Sequence, residues 1–248
     1  MIMSQKFNAT QLKYAMAALM VLDHIPHIPG LVPPIWTAIF HALTRCVGVW
    51  FAYMAVEGFV HTSNLKRYNL RLFGWAIFMA VGNALLNFLL AGKGLYIDNN
   101  IFLTLAVGVF LLSLAFPRGT MANLSPILRW IGVVLLLLAG AFLTEGGLVV
   151  LPFMLITHAC RQKPALRNSL YLLLSLVLFL MNFNVYETWQ MTLEMLLYNS
   201  DFLFITVLPF IYLYNGERGR NTAFNKYFFY VFYPAHLWLI ALVGYLIR

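Results

Sequence analysis

Six ionisable side chains interrupt long apolar runs of this chain: Asp23 and His24 in the first run, Arg45 and Glu57 in the second, His158 late in the sixth and His236 in the last. Ionisable groups at membrane depth are costly and tend to line a cavity or pathway, so chemistry is expected among them. Imidazoles can move protons near neutral pH, and a guanidinium can stabilise a developing oxyanion. His24 lies eleven residues beyond Lys13, and His236 ten beyond Lys226. At 1.5 Å per helical residue each is about 15 Å deep, near the bilayer centre. Arg45 reaches a similar depth from the other side. Nucleophilic serine chemistry is not indicated: there is no Gly-x-Ser-x-Gly, and Ser113, Ser169 and Ser175 lack acid–base neighbours. No metal centre is expected, because the histidines form no His-x-x-x-His pair and neither Cys46 nor Cys160 joins them.

The elements that must position these groups are membrane helices. Of 248 residues, 62% are hydrophobic and 10% charged, with mean hydropathy +0.81, far from the balance of a soluble domain. A spanning helix needs about 20 apolar residues. Apolar segments at 11–29, 36–61, 72–92, 101–116, 127–144, 147–160, 169–184, 201–214 and 225–247 predict an all-α bundle of about nine transmembrane helices. Residues 184–200 mix Trp189, Met191 and Leu193 with Glu187 and Glu194, the pattern of a short amphipathic helix at the interface or part of a re-entrant element. No linker or internal repeat divides the chain, so residues 1–248 are expected to form one domain. The first apolar run has no cleavage pattern behind it and is expected to be a retained span.

The net charge of +8 reads as basic cytoplasmic loops rather than nucleic-acid binding. With the N-terminus in the cytoplasm, Lys66, Arg67, Arg71, Arg118, Arg129, Arg161, Lys163, Arg167, Arg218, Arg220 and Lys226 fall inside, along with Lys6 and Lys13. Only Lys93 and Arg248 fall outside. The acidic residues show the reverse, Asp98, Glu145, Glu187, Glu194 and Asp201 falling outside and only Glu217 inside, and an odd number of spans puts the C-terminus outside.

Structural roles also fit several of these residues. Asp23-His24 precedes Pro26 and Pro29, where a polar side chain can satisfy a broken helix. Arg45 fits a buried ion pair with Asp23, and Glu57 an interfacial pair with Arg67 or Arg71. His158 is expected at the interface, and His27 and His41 in solvent.

Four blocks resemble the family of the conjugative pilin acetylase TraX, within the wider group of integral-membrane acyltransferases. LKYAMAALMVLDHI (Leu12–Ile25) is similar to its opening helix ending in Asp-His, with ten residues between the basic residue and the histidine. TRCVGVWFAYMAVEGFVHTSNLKRYNLRL (Thr44–Leu72) resembles its arginine, aromatic helix, Glu-Gly-Phe and His-Thr-x-Asn. NNIFLTL (Asn99–Leu105) and KYFFYVFYPAHLWLI (Lys226–Ile240) resemble its Asn-Ile-Phe-x-Thr-Leu element and its Tyr-Pro-x-His-Leu helix. Relatives often carry proline where this chain has Val49-Trp50, and residues 116–208 match no motif.

The resemblance implies a multi-pass protein of the bacterial inner membrane that moves acetyl from cytosolic acetyl-CoA to an amine or hydroxyl, such as a pilin N-terminus. A glycan or lipid O-acetyltransferase is the near alternative, and an ion-coupled transporter the rival from another class. Under the acyltransferase reading, Lys13, Lys66, Arg67, Arg71 and Glu57 form the donor site, with the basic groups on the CoA phosphates. His24 is the general base and His236 the substitute base. Arg45 or Asn100 stabilises the oxyanion. Asp23 points about 100° away from His24 on a regular helix and is expected to face another helix.

Overall fold

The computed structural model describes residues 6–93 and 96–247, without the side chain of Lys93, so the outward placements of Lys93 and Arg248 lie outside the described side chains. The fold is all helical, with 81% of residues in helix. Among the described residues the extended pairing is an isolated parallel bridge between Phe7 and Tyr214. In chain order the α-helices are α1 (Ala9–His24), α2 (Pro34–His61), α3 (Leu65–Leu90), α4 (Ile101–Ala115), α5 (Pro126–Leu143), α6 (Gly147–Ala159), α7 (Pro164–Asn182), α8 (Trp189–Tyr198), α9 (Leu208–Leu213) and α10 (Ala223–Ile247).

Local chemistry sets the helix boundaries. Asn8 and Gln11 form a reciprocal capping box at the start of α1. Pro26 follows its end, and Ile25–His27 tightens into a 3₁₀ turn. Asn64 and Thr188 accept from backbone amides in the first turns of α3 and α8.

Each of the nine expected spans coincides with helix. Five helices, α2, α3, α5, α7 and α10, are long and apolar enough to cross a membrane, or six spans if α8 and Ser200–Leu213, bent by 53°, count as one. The remaining three, α1, α4 and α6, have 16, 15 and 13 residues. At 1.5 Å per residue these fall short of the roughly 30 Å hydrocarbon core. Burial explains why α4 and α6 are apolar all the same. Phe102, Val109, Leu111 and Leu112 of α4 and Leu151, Phe153 and Met154 of α6 are fully enclosed, so their apolar character serves protein packing. By contrast only 11% of the apolar window of α5 and 17% of that of α7 is buried. Their outward Leu, Ile and Phe side chains form the apolar surface a bilayer covers, and the chain is a membrane protein.

The helices gather into two compact units. The first comprises Met1–Trp50, Leu85–Ile97 and Tyr171–Arg248, and the second Phe51–Ala84 and Asp98–Leu170. In the first, Thr10 Oγ1 donates to Arg218 O at 2.9 Å and Lys13 Nζ to Asn225 O at 3.5 Å, so the start of α1 and the connection into α10 share a basic end. In the second, α4, α5 and α6 pack closely. A Cβ on Gly108 would collide with the Met154 thioether, and one on Gly140 with Leu151. The start of α4 lies beside Glu145, which accepts from Asn99 Nδ2 at 3.0 Å. The loop past its other end carries Arg118, which donates to the carbonyls of Phe59 and Val60 at 3.3 and 3.4 Å. Basic and acidic groups therefore separate to opposite ends of α4.

Candidate functional site

In the first unit, the end of α1, the middle of α2, the stretch Ser200–Val207 and α10 assemble two adjoining polar clusters. The first is a pair of histidines. His24 and His236 are 5% and 7% exposed, with ring centroids 5.1 Å apart at 68°. His24 Nδ1 lies 2.8 Å from Met20 O, and His236 Nδ1 lies 2.9 Å from Phe232 O. A carbonyl oxygen only accepts, so both Nδ1 atoms carry hydrogen, and in neutral rings both Nε2 atoms carry lone pairs. His236 Nε2 is 3.3 Å from His24 Nδ1, so the His24 Nδ1 hydrogen is shared between Met20 O and His236 Nε2. Among the described residues no hydrogen bond reaches His24 Nε2, which leaves it as the available base. His27 lies with its ring centroid 5.6 Å from that of His24, and Phe232 stacks on His236 at 5.0 Å and 12°. Among the described residues no group of His, Cys, Asp or Glu is arranged to hold a metal ion.

The second cluster centres on Asp23, whose carboxylate turns to α2. Thr44 Oγ1 donates to Asp23 Oδ1 at 2.6 Å and Arg45 Nη2 at 3.0 Å, with His41 Nδ1 at 3.1 Å from the same oxygen. Arg45 also donates through Nη1 to Asp201 at 3.2 Å and through Nε to His41 O at 3.0 Å. Its Nη2 is 2.7 Å from His41 Nδ1. Arginine only donates, so His41 Nδ1 either accepts from Arg45 or donates to Asp23, and the position of one imidazole proton decides which. Tyr198, closing α8, meets the His41 ring edge-on at 6.2 Å.

These contacts correct several expectations. His24 and His236 are contact partners rather than alternatives. His41 is a member of the Asp23–Arg45 cluster rather than a solvated group, whereas His27 is exposed, as expected, with its ring beside that of His24. Asp201 is the second carboxylate of Arg45, a role that hydropathy did not signal because the residue opens an apolar segment 156 positions away in the chain. Lys13 stands at the basic end of this unit.

The other candidate residues belong to the second unit. Asn100 caps α4: its Oδ1 accepts from Leu103 N at 3.2 Å, and its Nδ2 donates to Ala76 O at 2.9 Å. Glu57 meets His61 Nε2 at 3.6 Å, one helical turn away, in place of the expected Arg67 or Arg71. His158 is wedged between Phe59 and Phe116, at ring centroids of 5.1 and 4.2 Å. Its two ring nitrogens are enclosed without a hydrogen-bond partner among the described residues, so water does not reach them.

The α2–α3 and α4–α5 connections line a half-open cavity of about 650 Å³, within the usual range of a small-molecule site. Thr62, Ser63, Asn64, Lys66, Asn69, Arg118 and Thr120 supply its polar wall, and Leu65, Leu70, Phe73, Phe110 and Met121 its apolar wall. Of the four basic residues expected at the donor site, Lys13, Lys66, Arg67 and Arg71, only Lys66 lines it. Arg67 is exposed, and Arg71 covers the Tyr68 ring at 5.4 Å and borders a shallow hollow with Trp75 and Phe78. Arg118, one of many loop cations in the sequence, is brought to the cavity by the end of α4.

The family model described as TraX protein matches residues 8–244. No curated protein and no solved structure matches the chain.

Proposed function

The chain belongs to the TraX family, and from that membership and its buried histidine pair we propose that it is an acetyl-CoA-dependent acyltransferase of the bacterial inner membrane. The observation that carries this reading is the open Nε2 of His24, whose opposite nitrogen is fixed by Met20 O and His236. That is the arrangement a general base needs. His24 Nε2 takes a proton from an attacking amine or hydroxyl as the new bond forms at the thioester carbon. The C–S bond then breaks, and the proton returns to the departing thiolate. Asp23 holds Arg45 and Thr44 in place beside it. A pilin N-terminal amine is the acceptor suggested by the family, with a glycan or lipid hydroxyl as the alternative.

The donor's phosphates are assigned to the cavity at the basic end of the second unit. Lys66 and Arg118 are cationic, and the α3 N-terminus, capped by Asn64, adds a site suited to anions. The apolar wall suits a pantetheine arm. Purified protein is expected to bind CoA and to release it from acetyl-CoA when acceptor is present, with the acetylated species naming the acceptor. Lys66→Glu and Arg118→Glu should each weaken CoA binding roughly tenfold to a hundredfold, the worth of a charge-assisted contact. Arg71→Glu serves as the comparison. Parental CoA affinity in both cavity variants would put the donor elsewhere, and acetyl-CoA that stays intact with every amine and hydroxyl acceptor tried would refute the enzyme.

Basic loops on the cytoplasmic side complete the reading. In a background lacking Cys46 and Cys160, which are both buried, single cysteines at Lys66, Arg161 and Arg218 should react only from the cytoplasm. Single cysteines at Asp98 and Glu145 should react from outside. Labelling of position 66 from outside would reverse the orientation and close the cavity to cytosolic donor.

A further inference from the structure

We infer that His24 and His236 work as one proton relay, in which His236 receives the Nδ1 proton of His24 as His24 Nε2 takes up the acceptor's. The inference rests on the acyl-transfer reading for its substrate, but its geometry stands apart from that reading. Both rings are tied at Nδ1 to the carbonyl four residues earlier in their own helix. Each helix therefore dictates the tautomer of its histidine, and the two rings meet donor to acceptor, His24 Nδ1–H toward His236 Nε2. An isolated imidazole buried to 5% exposure would have to hold a full positive charge away from water after accepting a proton, which is costly. A second imidazole on its far side spreads that charge over two rings.

The protons balance. When His24 Nε2 gains the acceptor's proton, the Nδ1 proton passes to His236 Nε2, leaving His24 neutral with hydrogen on Nε2 and His236 as the imidazolium. When the thiolate leaves, His24 Nε2 gives up its proton and His236 returns the other to His24 Nδ1. The resting tautomers are restored. The remaining ionisable groups around the pair are His27, from the Ile25–His27 turn, Tyr233 of α10, whose ring meets that of His236 at 5.7 Å, and Asp23, whose carboxylate is held by Thr44, Arg45 and His41 of α2. The carboxylate's bonds thus run to α2 and not to the imidazole pair. His236 touches no substrate in this scheme and is a positioning residue.

Nitrogen NMR on full-length protein with ¹⁵N-labelled histidine, without donor or acceptor, should show hydrogen on Nδ1 of both rings. It should also show an N–N coupling across the hydrogen bond from His24 Nδ1 to His236 Nε2. His236→Gln should abolish that coupling, although its amide oxygen can still accept the bond and preserve the fold. In acyl-transfer assays the parent rate should fall along a bowed curve as D₂O replaces H₂O, the sign of two protons in motion. In His236→Gln the curve should become a straight line and turnover should drop about tenfold, less than the roughly 10²-fold minimum for loss of a base itself. Hydrogen on His24 Nε2 in the resting protein, or an unchanged bowed curve in the glutamine variant, overturns the relay. A coupling found in a protein that transfers no acyl group keeps the pair and overturns the acyltransferase reading instead.

Discussion

His24→Ala is expected to lower acyl transfer by roughly 10²- to 10⁴-fold, the usual worth of a positioned acid–base group, while the protein still inserts and binds CoA. The size of the effect follows from the available nitrogen. Nε2 of His24 has no protein partner among the described residues, whereas Nδ1 is committed to Met20 O and His236. His24→Gln separates this role from a structural one. Glutamine can keep a hydrogen bond at the end of α1, where Pro26 breaks the helix, but it cannot carry a proton at neutral pH. A histidine that only closed the helix would tolerate that change. Transfer near the parental rate by the glutamine variant, measured with acetyl-CoA and the acetylated acceptor, would remove His24 from the chemistry.

Arg45→Met should produce the largest loss of stability, about 3 kcal/mol, because removing one member of a largely buried ion pair leaves the Asp23 carboxylate with only Thr44 and His41. Asp23 and Arg45 keep only 22% and 20% of their side-chain surface, so water can replace little of what is lost. Asp201 retains 45%, and Asp201→Asn should cost well under half as much. Thermal unfolding in detergent reads the difference. The double variant Arg45→Met/Asp23→Leu should recover most of the lost stability, since it removes both charges together. Equal melting of the single and double variants would show that the Asp23 pair is not the source. Transfer by the double variant then tells a positioning arginine from one that stabilises the oxyanion, because only in the second case does repaired stability leave activity low.

The likeness to the TraX family was readable in four short blocks, and the family match over residues 8–244 agrees with it. Those blocks are legible because they place polar residues in apolar surroundings, where each stands out. Partners were far less legible. Neither Thr44 nor His41 interrupts the hydropathy pattern enough to be marked, and His41 lies near the start of α2, where a histidine in water is the plain expectation. Lys66, Arg67 and Arg71 looked equivalent because charge sums ignore direction. On α3 they point different ways, and only Lys66 reaches the cavity that Arg118 borders.

Composition and apolar run length by themselves determined an all-helical membrane protein, since the bilayer admits few backbone solutions and each demands a long apolar segment. They also marked His24, Asp23, Arg45 and His236 as residues whose burial needs a reason. Run length overstated independent crossing, because a buried helix such as α4 is as apolar as one facing lipid and only packing tells them apart. Rotation of each helix about its axis was equally hidden, as α2 and α10 are apolar nearly all round and their periodicity names no inward face. Tertiary structure therefore decided that Asp23 turns to α2, that His236 meets His24 from 212 residues away, and that Arg45 is held between two carboxylates. Directional hydrogen bonds made those choices, and their partners are set by how helices pack rather than by how far apart residues stand in the chain.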